Sequence, residues 1–212
     1  MKPISTSEIL PSIFAISNMQ VNFYLVGLPD RKYIAFDAGT SEKISMAELG
    51  KVNIQPDDVA AVFLTHTDSD HVGAIGLFPQ AKVYISKPEE QMIDGSTKRA
   101  FFMGYNKLER SYETLSDGET VEIDGITIKC VVAPGHTKGS ACFIVNGKYL
   151  FSGDNFSLKN GKVKPFVAFF NMDGGAQRKS IAKIARLQNI EAVFTGHHGC
   201  SEDFDGAFEG WA

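Results

Sequence analysis

Residues 59–65 read VAAVFLT, apolar at six of seven positions with no polar alternation. Such a run predicts a strand buried on both faces rather than one with a wet side. It ends at His66. Upstream, 22–27 (NFYLVG) and 32–37 (KYIAFD) flank Leu28-Pro29-Asp30, a turn signal, and predict a hairpin that ends at Asp37. An apolar stretch over 12–17 precedes it. Strands are also expected at 82–86, 119–123 and 126–133. The pair 141–145 and 148–152 flanks Asn146-Gly147, a strong hairpin signal, and a smaller hairpin is expected within 156–165. A last strand at 191–195 ends at Gly196-His197.

Helical patterns lie between these runs. One over 41–51 is weak, one begins within 72–78, and one at 88–93 has Pro88 in its first turn. The clearest spans 176–188, where Ile181, Ile184, Ala185 and Leu187 share a face. Residues 94–113 mix Phe101, Phe102, Met103, Tyr105 and Tyr112 with Lys and Arg, and suit a covering loop or helix. Hairpins in both halves, mixed with helices, predict an α/β chain with two mixed sheets sandwiched between helices, not an all-parallel doubly wound sheet. No linker-like or low-complexity stretch divides it, so a single domain over 1–212 is expected.

Composition removes several functions. The chain has 212 residues and net charge −4. A nucleic-acid binder working through a basic face is not expected. No apolar run reaches the ~20 residues that span a bilayer, and MKPISTSEILPS has no signal-peptide core. Neither a membrane nor a secreted location is expected; a reducing cytoplasmic setting is. Cys130, Cys142 and Cys200 are too few and scattered for a disulfide framework or zinc ribbon. Cys130 and Cys142 are assigned to the core, and Cys200 to a buried inert thiol.

The five histidines fall in three short segments. His66-Thr67-Asp68-Ser69-Asp70-His71 follows the buried strand, His136 sits in a Pro-Gly-His turn, and His197-His198 follows Gly196. Asp154 follows Ser152-Gly153. Each candidate lies just beyond a predicted strand. Strand ends of a packed sheet converge on one edge, where loops carry binding groups on a rigid scaffold. Imidazoles and carboxylates gathered there make a metal site. His198 adjoins His197, so both do not readily face one ion, and it is placed at the surface or behind the ligands.

The series LTHTDSDHVG, APGHTKGS, FSGD and FTGHHG, with the opening YLV…IAFDAGTS, resembles the motif set of the metallo-β-lactamase superfamily over about residues 14–199. The resemblance implies a four-layer αββα sandwich with a one- or two-metal site at the edge of the sheets. It implies that His66, Asp68 and His136 hold a first ion, that Asp70, His71 and His197 hold a second, and that Asp154 bridges them. Asp37 matches a position that supports the ligands from behind. The chain departs from the family's HxHxDH pattern by carrying Asp68 in place of the middle His. That makes the first site a two-His-one-carboxylate set, harder and less electrophilic, suited to iron or manganese as well as zinc. One or two divalent ions are expected, zinc first. The flavodiiron branch places Glu at this position, but it also needs a flavodoxin-like domain for which 212 residues leave no room.

The leading expectation is a metal-dependent hydrolase. Bound metal lowers the pKa of water, and the hydroxide attacks an ester, thioester, lactone, amide or phosphodiester. Asp70 doubles as proton relay. The alternatives are a di-iron oxygen- or nitric-oxide-binding or -reducing protein, and a non-catalytic metal-binding sensor. Phe166, Phe169 and Phe170, with Met172 nearby, are expected to wall a substrate pocket, which implies a small-molecule substrate with an apolar part. Oligomeric state has no signal in the sequence.

Overall fold

The computed structural model describes residues 3–99 and 104–211. Its first sheet has seven strands in sequence order: Ser7–Leu10 (β1), Ile13–Asn18 (β2), Val21–Gly27 (β3), Tyr33–Phe36 (β4), Val59–Phe63 (β5), Lys82–Ser86 (β6) and Glu113–Leu115 (β7). The pairs β1–β2, β2–β3 and β3–β4 are antiparallel, and β4–β5, β5–β6 and β6–β7 are parallel. The second sheet contains Thr120–Ile123 (β8), Ile126–Val132 (β9), Ala141–Val145 (β10), Tyr149–Phe151 (β11), Ala192–Phe194 (β14) and Cys200–Ser201 (β15), ordered β15-β14-β11-β10-β9-β8. Between β11 and β14 the chain makes a separate hairpin, Phe156–Lys159 (β12) with Lys162–Pro165 (β13). The helices are Glu42–Lys51 (α1), Ser69–Val72 (α2), Glu90–Ile93 (α3), Gly174–Ile184 (α4) and Phe204–Ala207 (α5).

Three apolar clusters define four layers. The central one joins the two sheets: Phe36 and Phe63 meet Phe143 and Phe151, with Phe36 stacked on Phe151 at 4.0 Å between centroids. A second cluster lies on the other face of the first sheet, where Leu25, Ala35 and Val62 pack under Leu49 of α1. The third covers the far face of the second sheet with Ile181 and Ile184 of α4 and Phe204 of α5. β5 therefore packs on both faces, which is why 59–65 carries no polar alternation. The fold is the αββα sandwich.

Several elements differ from expectation. The strands β1, β7 and β15 arise from short edge segments. β7 takes the end of the stretch expected to be covering loop or helix; among its described residues, 94–99 and 104–112 are irregular. The helix expected within 72–78 is a single turn ending at Val72, followed by a 3-10 turn at Ile75–Leu77. α4 starts earlier than 176, because the Asp173 side chain accepts from the Ala176 N–H at 2.9 Å and caps it. Phe101, Phe102 and Met103 lie outside the described residues.

Candidate metal centre

The site forms where the parallel strands end. Asp37 follows β4, His66 follows β5, Asp154 follows β11 and His197 follows β14. His136 sits in the connection from β9 to β10, and Asp70 and His71 lie in α2. The close approach of these segments requires Gly196, since a Cβ there would lie 2.7 Å from Asp154 Oδ1 and 2.8 Å from His71 Cε1.

Each of the four imidazoles has an acceptor behind its Nδ1. The Thr65 hydroxyl donates to Asp37, so its oxygen accepts from His66 Nδ1 at 3.0 Å. Asp37 Oδ2 accepts from His71 Nδ1 at 2.8 Å. Asn171 Oδ1 faces His136 Nδ1 at 3.3 Å, and the Gln20 carbonyl accepts from His197 Nδ1 at 2.6 Å. With Nδ1 donating, all four Nε2 atoms face inward, where each can ligate a metal once any proton it carries is displaced.

Those atoms meet the carboxylates in two groups. Ligand atoms of Asp70, His71, Asp154 and His197 lie within 4.8 Å of one another, and so do those of His66, Asp68 and His136. His197 Nε2 lies 3.2 Å from both Asp70 Oδ2 and Asp154 Oδ2. The buried atoms His66 Nε2, His71 Nε2 and Asp154 Oδ1 have no hydrogen-bond partner among the described residues. Leaving such atoms unsatisfied is costly, and a divalent cation bound by nitrogen and oxygen accounts for them. The residues fit a metal.

Charge is polarised across the cluster. Burial, reinforced by His71 and His136, pushes His66 well below the usual imidazole range. Burial would also lower His71, but Asp37, Asp154 and Asp70 hold it well above. Burial opposes ionisation of Asp154, yet His71 and His197 keep it well below the carboxylate range. Asp70 is likewise brought down against burial, by His71 and His197, to about 2.

Three residues around the cluster carry no sequence signal. Arg99 Nε donates to Asp68 Oδ2 at 2.8 Å, and Asn106 Nδ2 donates to Asp68 Oδ1 at 3.0 Å. Glu89, 1% exposed, accepts from the N–H and hydroxyl of Thr67, the hydroxyl of Thr137 and the N–H of Gly139. It ties the loop carrying His66 to the loop carrying His136. Buried glutamates with several donors are rare, but only the folded chain brings these donors together.

A cavity of about 860 Å3 opens over the cluster. Asp68, Asp70, His136, Asp154 and His197 form its floor, and Val21, Val72, Ile75, Phe166 and Phe170 contribute apolar wall. Phe166 is buried and meets His136 edge-on at 5.1 Å between centroids. Phe169 is 79% exposed and is not part of the lining. His198 belongs to neither ligand group; it packs edge-on against Phe166 at 6.0 Å, and its Nε2 is buried with no partner among the described residues. Cys130 and Cys142 are buried on β9 and β10, whereas Cys200 is exposed on the edge strand β15, correcting the expectation of a buried thiol. No helix among the described residues is long and apolar enough to cross a membrane.

Comparison with known proteins places this arrangement. A "Probable metallo-hydrolase" of Methanocaldococcus jannaschii is 29% identical over 158 residues, spanning 74% of this chain and 66% of that protein, just under two thirds of its length. A subclass B3 metallo-beta-lactamase from a soil metagenome library superposes with TM-score 0.72 at 19% identity, over 92% of this chain and 80% of the other. A B3 metallo-beta-lactamase with an active-site glutamic acid gives 0.76 at 16% identity, over 99% and 86%. A metallo-beta-lactamase family protein of Thermus thermophilus gives 0.70 at 21% identity, over 95% and 78%. The family profile described as "Metallo-beta-lactamase superfamily" matches residues 16–197, and the chain belongs to that superfamily.

Proposed function

We propose that the protein is a metal-dependent hydrolase of a small molecule with an apolar part, working at the cluster under the cavity. The observation that carries this reading is the convergence of four Nε2 atoms and three carboxylates beneath an open, largely apolar cavity. A bound divalent ion supplies a water acidic enough to be a nucleophile near neutral pH, and positive charge for the oxyanion that develops. Zinc, manganese and iron all suit the donor set.

The chain's own residues do the rest. His71, Asp154 and His197, all buried, would hold the ion. Asp70 has its side chain 39% exposed at the cavity floor and is ionised near neutral pH, so it can take a proton from the attacking water and pass it to the leaving group. Phe166 and Phe170 exclude water beside the reacting bond and receive the apolar part of the substrate. No protein nucleophile is required.

The test is a panel of ester, thioester, lactone, amide and phosphodiester substrates, assayed on metal-loaded protein, on chelated protein and on Asp154→Ala. Turnover of one class that is lost in the last two supports the reading. Turnover that survives chelation overturns it. Iron with oxo-to-iron absorption bands in fresh protein, and no hydrolysis, would move the assignment to redox chemistry.

A further inference from the structure

We propose that Arg99 is the resident cation of the half-site formed by His66, Asp68 and His136, so that the chain takes a single divalent ion, at Asp70, His71, Asp154 and His197. This deepens the metal-dependent reading above and rests on it.

The two half-sites differ in what already satisfies them. Arg99 Nε lies 2.9 Å from Asp68 Oδ1 and 2.8 Å from Oδ2. Its Nη2 donates to His136 Nε2 at 3.3 Å and also to the Phe170 carbonyl. Asn106 Nδ2 adds a further donor to Asp68 Oδ1. Both Asp68 oxygens and the inward lone pair of His136 are therefore engaged by protein donors. The other ring nitrogen of His136 faces Asn171 Oδ1 and is not free to take over. Among the described residues no such group intervenes in the four-residue set, where His71 Nε2 and Asp154 Oδ1 are both buried without partners, against His66 Nε2 alone in the other half-site. Two unpartnered atoms against one, and two carboxylates that no guanidinium engages, make the four-residue set the stronger site for a cation.

The Arg99 side chain is 8% exposed, against 18% for Asp68. A guanidinium cannot be neutralised in a protein, and its planar fork suits a carboxylate. Asp68, Asp70 and Asp154 are then balanced by one divalent ion and one guanidinium. A second ion would have to take Asp68 and His136 from Arg99, or share them with a fixed positive charge. The Asp at position 68 thus acts as the seat of an arginine. Arg99 is a positioning residue: it holds Asp68 and His136 in place and keeps positive charge beside the metal.

Metal counting tests this without reference to activity. Chelated full-length protein is equilibrated with excess zinc chloride, and separately with manganese chloride, then desalted and analysed for metal per chain, with circular dichroism to confirm folding. Wild type and Arg99→Lys are expected to take one ion. Arg99→Gln, which keeps donors but loses the charge, is expected to take two. Two ions in wild type, one ion in folded Arg99→Gln, or two in Arg99→Lys each overturn the assignment, and the wild-type count alone can do so should the glutamine variant not fold. No ion in wild type would instead remove the metal-dependent reading itself.

Discussion

Asp37 and His71 share a 2.8 Å hydrogen bond, and the same carboxylate accepts from the Thr65 N–H and hydroxyl. One buried acid thus sets the orientation of His71 directly and of His66 through Thr65. Asp37 itself has φ of 65°, a conformation Asn also tolerates. In Asp37→Asn the backbone is expected to hold, but the amide must turn an NH2 toward a donor. Metal affinity should fall about 10- to 100-fold, as for other residues that orient ligands. Isothermal titration with zinc checks this; unchanged affinity would show that the tautomer of His71 is set elsewhere.

Removing metal should leave a folded protein whose stability depends on pH. Burial would lower His197, but hydrogen bonds to Asp154 and Asp70 outweigh it and carry its pKa from 6.5 up to about 9. A raised imidazole contributes stability that is complete below its unfolded value and is lost as pH rises through its folded value. The chelated chain should still melt cooperatively, because its core does not depend on metal. Its Tm should fall between pH ~7 and pH ~10, while the metal-loaded chain changes less. A chelated Tm that is flat or rising over that range would contradict the protonated pairing.

Glu89 is a clamp made of four donors on one carboxylate, with burial pushing its pKa up to about 7. The Gly139 N–H and Thr67 N–H cannot reverse their polarity. Glu89→Gln must therefore leave at least one donor unmatched, at a cost of about 1–3 kcal/mol. Urea unfolding of the metal-free variant measures it. A variant as stable as wild type would show that the two loops are held by other contacts.

Gly196→Ala introduces the Cβ that would meet Asp154 and His71. The wall it meets includes two proposed ligands, so the variant is expected to fold and lose metal. Elemental analysis of the purified variant checks this; wild-type metal content would show that the segment can move aside.

The site was legible because its residues interrupt recognisable strands. The runs ending at Asp37, His66 and Thr195 are apolar and long, so the polar residue after each stands out. The hairpin around Asn146-Gly147 carries its own turn chemistry, and β10 and β11 pair across it. What stayed hidden has no local code. β15 is two residues long and exists only because β14 offers an edge. Arg99 is one basic residue among several in an irregular stretch; only the folded chain places it against Asp68, 31 positions away. The motif resemblance implies that Asp68 is a ligand of the first ion, and motifs are silent about a partner outside them.

The acceptors behind the four imidazoles come from distant parts of the chain: Gln20 between β2 and β3, Asp37 and Thr65 after β4 and β5, and Asn171 before α4. His197, carried by the second sheet, is oriented by a carbonyl of the first. Of the four imidazoles only His197 is oriented across the interface between the sheets, and His136 and His197 meet His66 and His71 only when the two sheets have closed. Either sheet alone carries only part of the ligand set, so a half-closed sandwich, however much strand it contains, lacks the complete site.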